Sequence, residues 1–229
     1  MKTKLLLTSL FFILTYQKAF LQNKESDNLV VKLTFESNIL NQCEKEQLIT
    51  SRNISYAKDR FNNENSAVYF NGQSQILIEN SNDLSFLKNF TIALWFYPDT
   101  AEDMVIFAKS GDRTGLELKY HKDGRLDLHN GFCCPITGII ELGKIAAKKW
   151  YHVAISADDK KIYVYLNSIL LKTTDLFDFD INSQMAKEPL RLGVGFGGAY
   201  YSFQGAMDAL YIYKQSLNEN QIKDLYRTK

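Results

Sequence analysis

The sequence predicts an all-β fold: a two-sheet antiparallel jelly-roll sandwich closed by a short C-terminal helix. Three observations predict it. About twelve short segments alternate apolar and polar residues with period two and are rich in β-branched and aromatic side chains, the pattern of strands with one buried face. Turn chemistry separates them, as in HKDG (121–124), ADDK (157–160) and LNSI (166–169). Helical periodicity is strong only at the C-terminal end, so the strands connect without the crossover helices of a parallel sheet and pack as a sandwich.

Taken in order, Lys2 and Lys4 precede the apolar run LLLTSLFFILTY (5–16). That run has the length of a signal-peptide core and falls short of the roughly 20 residues a membrane span needs. Residues 1–21 are therefore expected to be a signal peptide, and residues 22–229 a single exported domain with no membrane span in the mature chain; an uncleaved anchor is the alternative. Losing Lys2, Lys4 and Lys18 takes the net charge from +1 to about −2. Neither value gives an electrostatic case for a nucleic-acid partner.

The expected strands are LVVKLTFE (29–36), SAVYFNG (66–72), QILIE (75–79), FTIALWFYP (90–98), MVIFAK (104–109), GLELKY (115–120), RLDLH (125–129), WYHVAISA (150–157), KIYVYLN (161–167), ILLKT (169–173), LRLGVG (190–195) and GAMDALYIYK (205–214). Residues 37–65 are polar and Asn-rich and read as a long ordered loop. Trp95 and Trp150 fall on alternating strands and read as core residues. SLNENQIKDLYR (216–227) reads as a helix, with Ser216 and Glu219 at capping-box spacing and an apolar face of Leu217, Ile222, Leu225 and Tyr226 that would close a sheet edge.

Export makes disulfides available to the three cysteines, Cys43, Cys133 and Cys134, which allow one intrachain bridge at most. Three arrangements are open. Cys43 bonds to one of the vicinal pair, with Cys134 as the named partner; the pair bonds to itself; or all three are thiols. A bond from Cys43 would close a loop of about 90 residues, for which the chain-entropy account gives roughly 4–5 kcal/mol. There is no CxxC pair and no Cys/His cluster, so structural zinc is not expected; HExxH is absent as well.

Three longer stretches carry a family resemblance. YAKDRFNNENSAVYFNGQSQILIENSNDLSFLKNFTIALWFYPD (56–99), KKWYHVAISADDKKIYVYLNSILLKT (148–173) and LRLGVGFGGAYYSFQGAMDALYIYKQSLNENQIKDLY (190–226) resemble, in order, the opening, the central hairpin and the ending of laminin-G-like jelly-roll domains of the concanavalin A-like lectin class. Two departures stand out. ESNILNQCEKEQ (36–47) replaces a Gly-rich stretch of the family, and Ser168 replaces a hairpin glycine, which would leave Asn167 to supply the left-handed position.

The resemblance implies a rim of loops that binds glycans or protein surfaces, often with calcium. On that implication Asp112, the backbone carbonyl near Asn130, Asp180 and Asn182 would hold a rim calcium through oxygen ligands. Asp208 would hold a second, structural calcium with oxygens around Glu36 to Asn38. Against this stands local chemistry: Asp112 and Asn182 suit turns, and Asp208 suits a strand carboxylate bonded to backbone amides. In GVGFGGAYYSFQG (193–205), Tyr200, Tyr201 and Phe203, together with Phe196, are candidate stacking platforms for sugar rings, with Asp178 a further ligand-binding candidate. The alternative is a hairpin whose aromatic residues alternate into the core.

Catalysis finds no support in motifs. Enzymes on this fold class use paired carboxylates, in one family as ExDxxE, and that string is absent. Glu102 with Asp103 and Asp158 with Asp159 sit in expected turns; Asp178 and Asp180 lack a third carboxylate. His121, His129 and His152 have no nucleophile motif beside them, and Ser110-Gly111 is not part of GxSxG. Of the three, His129 lies nearest the proposed rim. The expected function is therefore a secreted, non-catalytic module that binds a glycan or an extracellular protein. A polysaccharide hydrolase or lyase, and a structural or adhesive surface protein, are the alternatives.

Overall fold

A computed structural model describes residues 28–43, 46–79, 82–85, 89–111, 115–130, 138–175, 187–198 and 201–228. Fifteen strands follow one another: β1 (Leu29–Leu33), β2 (Ile49–Arg52), β3 (Ser55–Ala57), β4 (Ala67–Asn71), β5 (Gln75–Ile78), β6 (Phe90–Pro98), β7 (Met104–Ser110), β8 (Gly115–Tyr120), β9 (Arg125–Asn130), β10 (Ile139–Lys144), β11 (Tyr151–Ala157), β12 (Lys161–Leu166), β13 (Ile169–Asp175), β14 (Leu190–Leu192) and β15 (Gln204–Tyr213). Helix α1 (Glu219–Arg227) closes the order.

The strands form two sheets. One runs β13-β12-β11-β6-β15-β4-β3, with β1 as an eighth strand beside β15; the other has seven strands in the order β10-β9-β8-β7-β14-β5-β2. All named pairings are antiparallel. The alternation that predicts the strands also explains the core: Phe90, Ile92, Leu94 and Phe96 of β6 point inward with Leu116, Leu118, Leu126 and Leu128 of the other sheet. Ala93 and Trp95 of β6 point the opposite way and join Tyr211, Tyr213, Leu217 and Ile222 in a second cluster beneath α1. The helix thus covers the outer face of the eight-stranded sheet over its central strands, rather than a sheet edge.

β15 changes partner halfway along. Gln204–Met207 pair with β4, and Leu210–Tyr213 pair with β1, while β6 runs beside both halves. The switch falls at a bulge, where Ala209 takes φ 50°. At the start of the strand Gly205 has φ 150°, and a Cβ there would lie 2.0 Å from the Tyr97 carbonyl oxygen, so only glycine lets β15 approach β6 this closely.

Several expectations need correction. Residues 37–65 are not one loop: β2 and β3 lie within them, each the last strand of its sheet. Their residues are exposed or half-buried, so no alternation marks them. β10 is likewise absent from the expected strands, since only Ile140 and Leu142 of IIELGK are buried. β1 ends at Leu33 because Phe35 and Ser37 adopt positive φ. The helix N-cap is Asn218, not Ser216: its side chain accepts from the backbone N–H groups of Asn220 and Gln221, and the Gln221 side chain accepts from the Asn218 N–H. Asn167 does take the left-handed position, and Ser168 joins it (φ 50° and 65°), giving the two-residue turn that β12 and β13 need.

Phe203 is fully buried and packs edge-on against Phe70 at 5.9 Å between ring centroids, so it is a core residue and not a sugar platform. Phe203→Ala is expected to cost about 3–5 kcal/mol, and Asn218→Ala about 1 kcal/mol. Tyr201→Ala, at an exposed position, should stay within about 0.5 kcal/mol of wild type. Urea denaturation midpoints check all three.

Candidate functional site

The outer face of the seven-stranded sheet carries an unusual load of charge. In β8, Leu116, Leu118 and Tyr120 turn inward, which sends Glu117 and Lys119 outward. In β9, Leu126 and Leu128 turn inward, which sends Arg125, Asp127 and His129 outward. Cross-strand register sets Glu117 opposite His129, and Lys119 opposite both Asp127 and Val105. The reverse turn between the strands is closed by the His121 N–H to Arg125 carbonyl bond of 2.8 Å, which fixes that register.

Outward-facing residues are usually wet, yet Glu117, Asp127 and His129 are buried. The segment after β14 covers part of this face. Val105 N–H donates to the Tyr201 carbonyl at 2.6 Å, and Val105 and Ser202 form an isolated bridge. Under that cover Ser110 Oγ donates to Glu117 Oε1 at 2.6 Å, and Lys119 Nζ stands 3.0 Å from Glu117 Oε2.

Beside the cover lies a cleft of about 190 Å³, lined by Asp103, Lys119, His121, His129 and Tyr201 among others. Tyr201 is 56% exposed. His121 Nδ1 is 3.5 Å from Asp103 Oδ1, and His121 Nε2 is 3.0 Å from Asp127 Oδ2; Arg125 Nη1 reaches the same Asp127 oxygen at 3.3 Å. Burial, reinforced by Lys119, His121 and Arg125, pushes the His129 imidazole down to about 4. Burial raises the Asp127 carboxyl, against the pull of His121 and Arg125.

A larger cavity of about 360 Å³ lies on the other sheet, beside the bulge of β15, and includes Glu36, Asp59, Arg60, Asp208 and Tyr211 in its lining. Asp208 and Glu36 line the same cavity, and the Asp208 carboxylate there is engaged by a cation of the chain itself. Arg60 Nη1 is ion-paired with Asp208 Oδ2, and Arg60 Nη2 donates to the Thr228 carbonyl at 2.5 Å. The guanidinium lies 4.9 Å from the Trp95 ring centroid and 4.5 Å from that of Phe61. Asp208, expected as a calcium ligand, is the partner of a buried arginine in this structure. Burial still raises its carboxyl to about 6, with Arg60 opposing. Asp59 is also committed, accepting from the N–H groups of Phe61 and Asn63 and from the Asn63 side chain.

Of the residues singled out from sequence, Tyr201 lies at the cleft and Phe203 in the core. Asn130 ends β9, its backbone paired with Leu116. Cys43 is half-buried in the loop after β1. Asp112, Cys133, Cys134, Asp178, Asp180, Asn182 and Tyr200 lie outside the described residues. The grouping of Asp103, Lys119, His121, Asp127 and His129 was not read from the sequence; the signal was RLDLH, whose polar residues share a face with those of GLELKYH once the hairpin register is set.

Two antiparallel sheets around one core, with a polar cleft on the outside of one sheet, define a lectin-like jelly-roll β-sandwich. Residues 64–223 match the family described as the concanavalin A-like lectin/glucanases superfamily, of laminin-G type, and the chain belongs to it. Among curated proteins, human usherin is 22% identical over 169 residues, which are 71% of this chain and 3% of usherin. Among solved structures, domain 4 of AbnA, a GH43 extracellular arabinanase from Geobacillus stearothermophilus in complex with arabinotriose, has a TM-score of 0.66 at 22% identity and covers 87% of this chain and 98% of its own. The binding domain of Paraclostridial Mosquitocidal Protein 1 gives 0.69 at 18%, covering 88% and 52%. That of botulinum neurotoxin DC in complex with rat synaptotagmin II gives 0.70 at 12%, again covering 88% and 52%. The chain thus spans about half of these toxin domains and a small fraction of usherin. No helix among the described residues is long and apolar enough to cross a membrane.

His152 offers a clean test of this electrostatic picture. It is buried between Trp95 and Tyr226, at ring-centroid distances of 5.2 and 5.7 Å. Burial, aided by Arg60, pushes its imidazole from 6.5 down to about 3. The unfolded chain therefore takes up a proton that the fold refuses, so this contribution to stability is full above pH 6.5 and is lost as pH falls toward 3. Asp208, raised, acts in the opposite sense between its ordinary value and about 6. His152→Phe keeps an aromatic ring but cannot titrate; its stability should fall less steeply than wild type between pH 6.5 and 4, measured by urea midpoints across that range.

Proposed function

We propose that this chain is an exported, non-catalytic binding module that takes a glycan in the cleft beside Tyr201. The exposed Tyr201 at a cleft lined by Asp103, Lys119 and His121 carries the reading. A sugar ring presents C–H groups on its face and hydroxyls around its rim. An exposed aromatic ring serves the first, and a carboxylate, an ammonium and an imidazole serve the second. The arabinanase domain described with arabinotriose supports a sugar as ligand on this fold. The leader-like residues 1–21 support export.

A protein partner is the second reading. It is favoured by Ile169, Leu170 and Leu171, which are exposed on β13, the last strand of its sheet. The toxin domain described in complex with synaptotagmin is a protein-binding example of the same fold.

A glycan array tests the first reading. Wild type should retain at least one glycan class, and Tyr201→Ala should lose ten-fold or more in affinity with an unchanged melting temperature. No retained glycan, or full retention by the variant, would refute the cleft as the site. Incubation with a polysaccharide panel should release neither reducing ends nor unsaturated sugars.

The rim calcium at Asp112, Asn130, Asp180 and Asn182 stays part of the proposal on the strength of the family resemblance. Calcium added to metal-free protein should raise the melting temperature at saturation; an unmoved transition would remove calcium from the reading.

A further inference from the structure

Where β8 and β9 meet the turn between them, His121, Asp127 and His129 bring one nitrogen or oxygen each to within 4.8 Å of one another. Three features set this group apart from an ordinary ion pair. Asp127 and His129 are almost removed from solvent, at 1% and 8% exposure. His121 Nε2, His129 Nε2 and Asp127 Oδ1 all lack a hydrogen-bond partner. Yet the two Nε2 atoms lie only 3.0 and 3.7 Å from Asp127 Oδ2, so they are close without being directed along hydrogen bonds. Buried polar atoms left without partners are costly, and lone pairs that converge on shared space are what a ligand set for a cation offers. Behind His121, Asp103 Oδ1 stands 3.5 Å from Nδ1, as a carboxylate does that orients a metal-bound imidazole and leaves Nε2 for the ion.

The geometry points to a site for a divalent transition-metal ion of the zinc class, held by His121, Asp127 and His129 at the floor of the cleft. Two imidazoles and one carboxylate suit zinc in a site with three protein ligands and one open position, and are unsuited to calcium, which takes six to eight oxygens. Arms of about 2.0–2.1 Å at tetrahedral angles separate ligand atoms by roughly 3.3 Å, close to the two distances to Asp127. His121 and His129 both line the cleft, so the open position faces the space beside Tyr201. This is distinct from the calcium expectation, which uses Asp112, the Asn130 carbonyl, Asp180 and Asn182 and shares no ligand with this site, and it does not depend on glycan binding.

Arg125 opposes the ion. Its Nη1 lies 3.3 Å from Asp127 Oδ2, but the side chain is 40% exposed and its Nε is already held by Asp123 at 3.0 Å. It can therefore withdraw toward Asp123 when a metal arrives. Removing it should tighten metal binding, an effect that a purely structural ion pair does not predict.

Metal-free protein titrated with Zn²⁺ by calorimetry, and with Co²⁺ by visible absorption, tests the site without any sugar present. The expected result is one equivalent bound, with cobalt bands of a four-coordinate nitrogen and oxygen environment. His129→Ala and Asp127→Asn should each weaken binding at least ten-fold, and Arg125→Ala should strengthen it. Because the first two substitutions are at buried positions, His121→Gln, at the half-buried position just after β8, serves as the ligand variant that keeps the fold, checked by circular dichroism. No binding to wild type, or binding that survives all three ligand substitutions, would overturn the assignment. So would a cobalt spectrum of thiolate type, which would place the ion on the cysteines.

Discussion

The sandwich depends on the pairing of β15 with β6. These two strands form the middle of the eight-stranded sheet, and their side chains supply both the core between the sheets and the apolar bed on which α1 rests. Gly205 is required for their approach, and the bulge at Ala209 lets the other edge of β15 serve β4 and then β1. One strand thereby joins a segment from the start of the fold to segments from its middle and end. Such non-local pairing forms late and at an entropic cost, so little of this sheet can be stable until β15 is in place.

The two sheets meet the problem of outward-facing residues differently. On the eight-stranded sheet the outer face is apolar and aromatic, and a helix covers it. A buried cation there, Arg60, is balanced by Asp208 and held between aromatic rings. On the seven-stranded sheet the corresponding face is charged, and a loop covers only part of it. Charges half removed from water need partners, and here several atoms lack them. The same β-sandwich can thus carry a closed, structural face and an open one suited to binding, and the difference lies in side chains that the fold itself does not dictate.

How much could be read beforehand follows from these physical roles. β6, β11, β12 and β15 alternate over long runs because they are central strands with distinct faces, and they stood out. β2 and β3 are end strands with exposed or half-buried side chains, and ITSR and SYA carry no periodic signal that separates them from loop. Asn218 and Ser216 are both good cap residues in sequence, and Asn218 is the cap because Gln221 stands three residues on to complete the reciprocal box. Phe203 and Tyr201 are separated by one residue and looked equivalent as aromatic candidates; only the path of the chain across Val105 sends one into the core and leaves the other at the surface. The His121, Asp127 and His129 group depends on the register of a single hairpin. No spacing in the sequence states which residues of β8 face which residues of β9, although the alternation of RLDLH limits the choices.

Both ends of the described fold are tied to the eight-stranded sheet or to the segments that pack on it. Asn28 and Gln215 share a side-chain hydrogen bond of 3.0 Å, Lys214 N–H donates to the Asn28 carbonyl, and Arg60 reaches the Thr228 carbonyl just past α1. Both ends therefore belong to the eight-stranded sheet, while the cleft opens on the far side of the molecule. Anything joined to either end would hang from the back of the domain. A target approaching Tyr201 meets the front unobstructed, in the way a stalk leaves the face of a flower free.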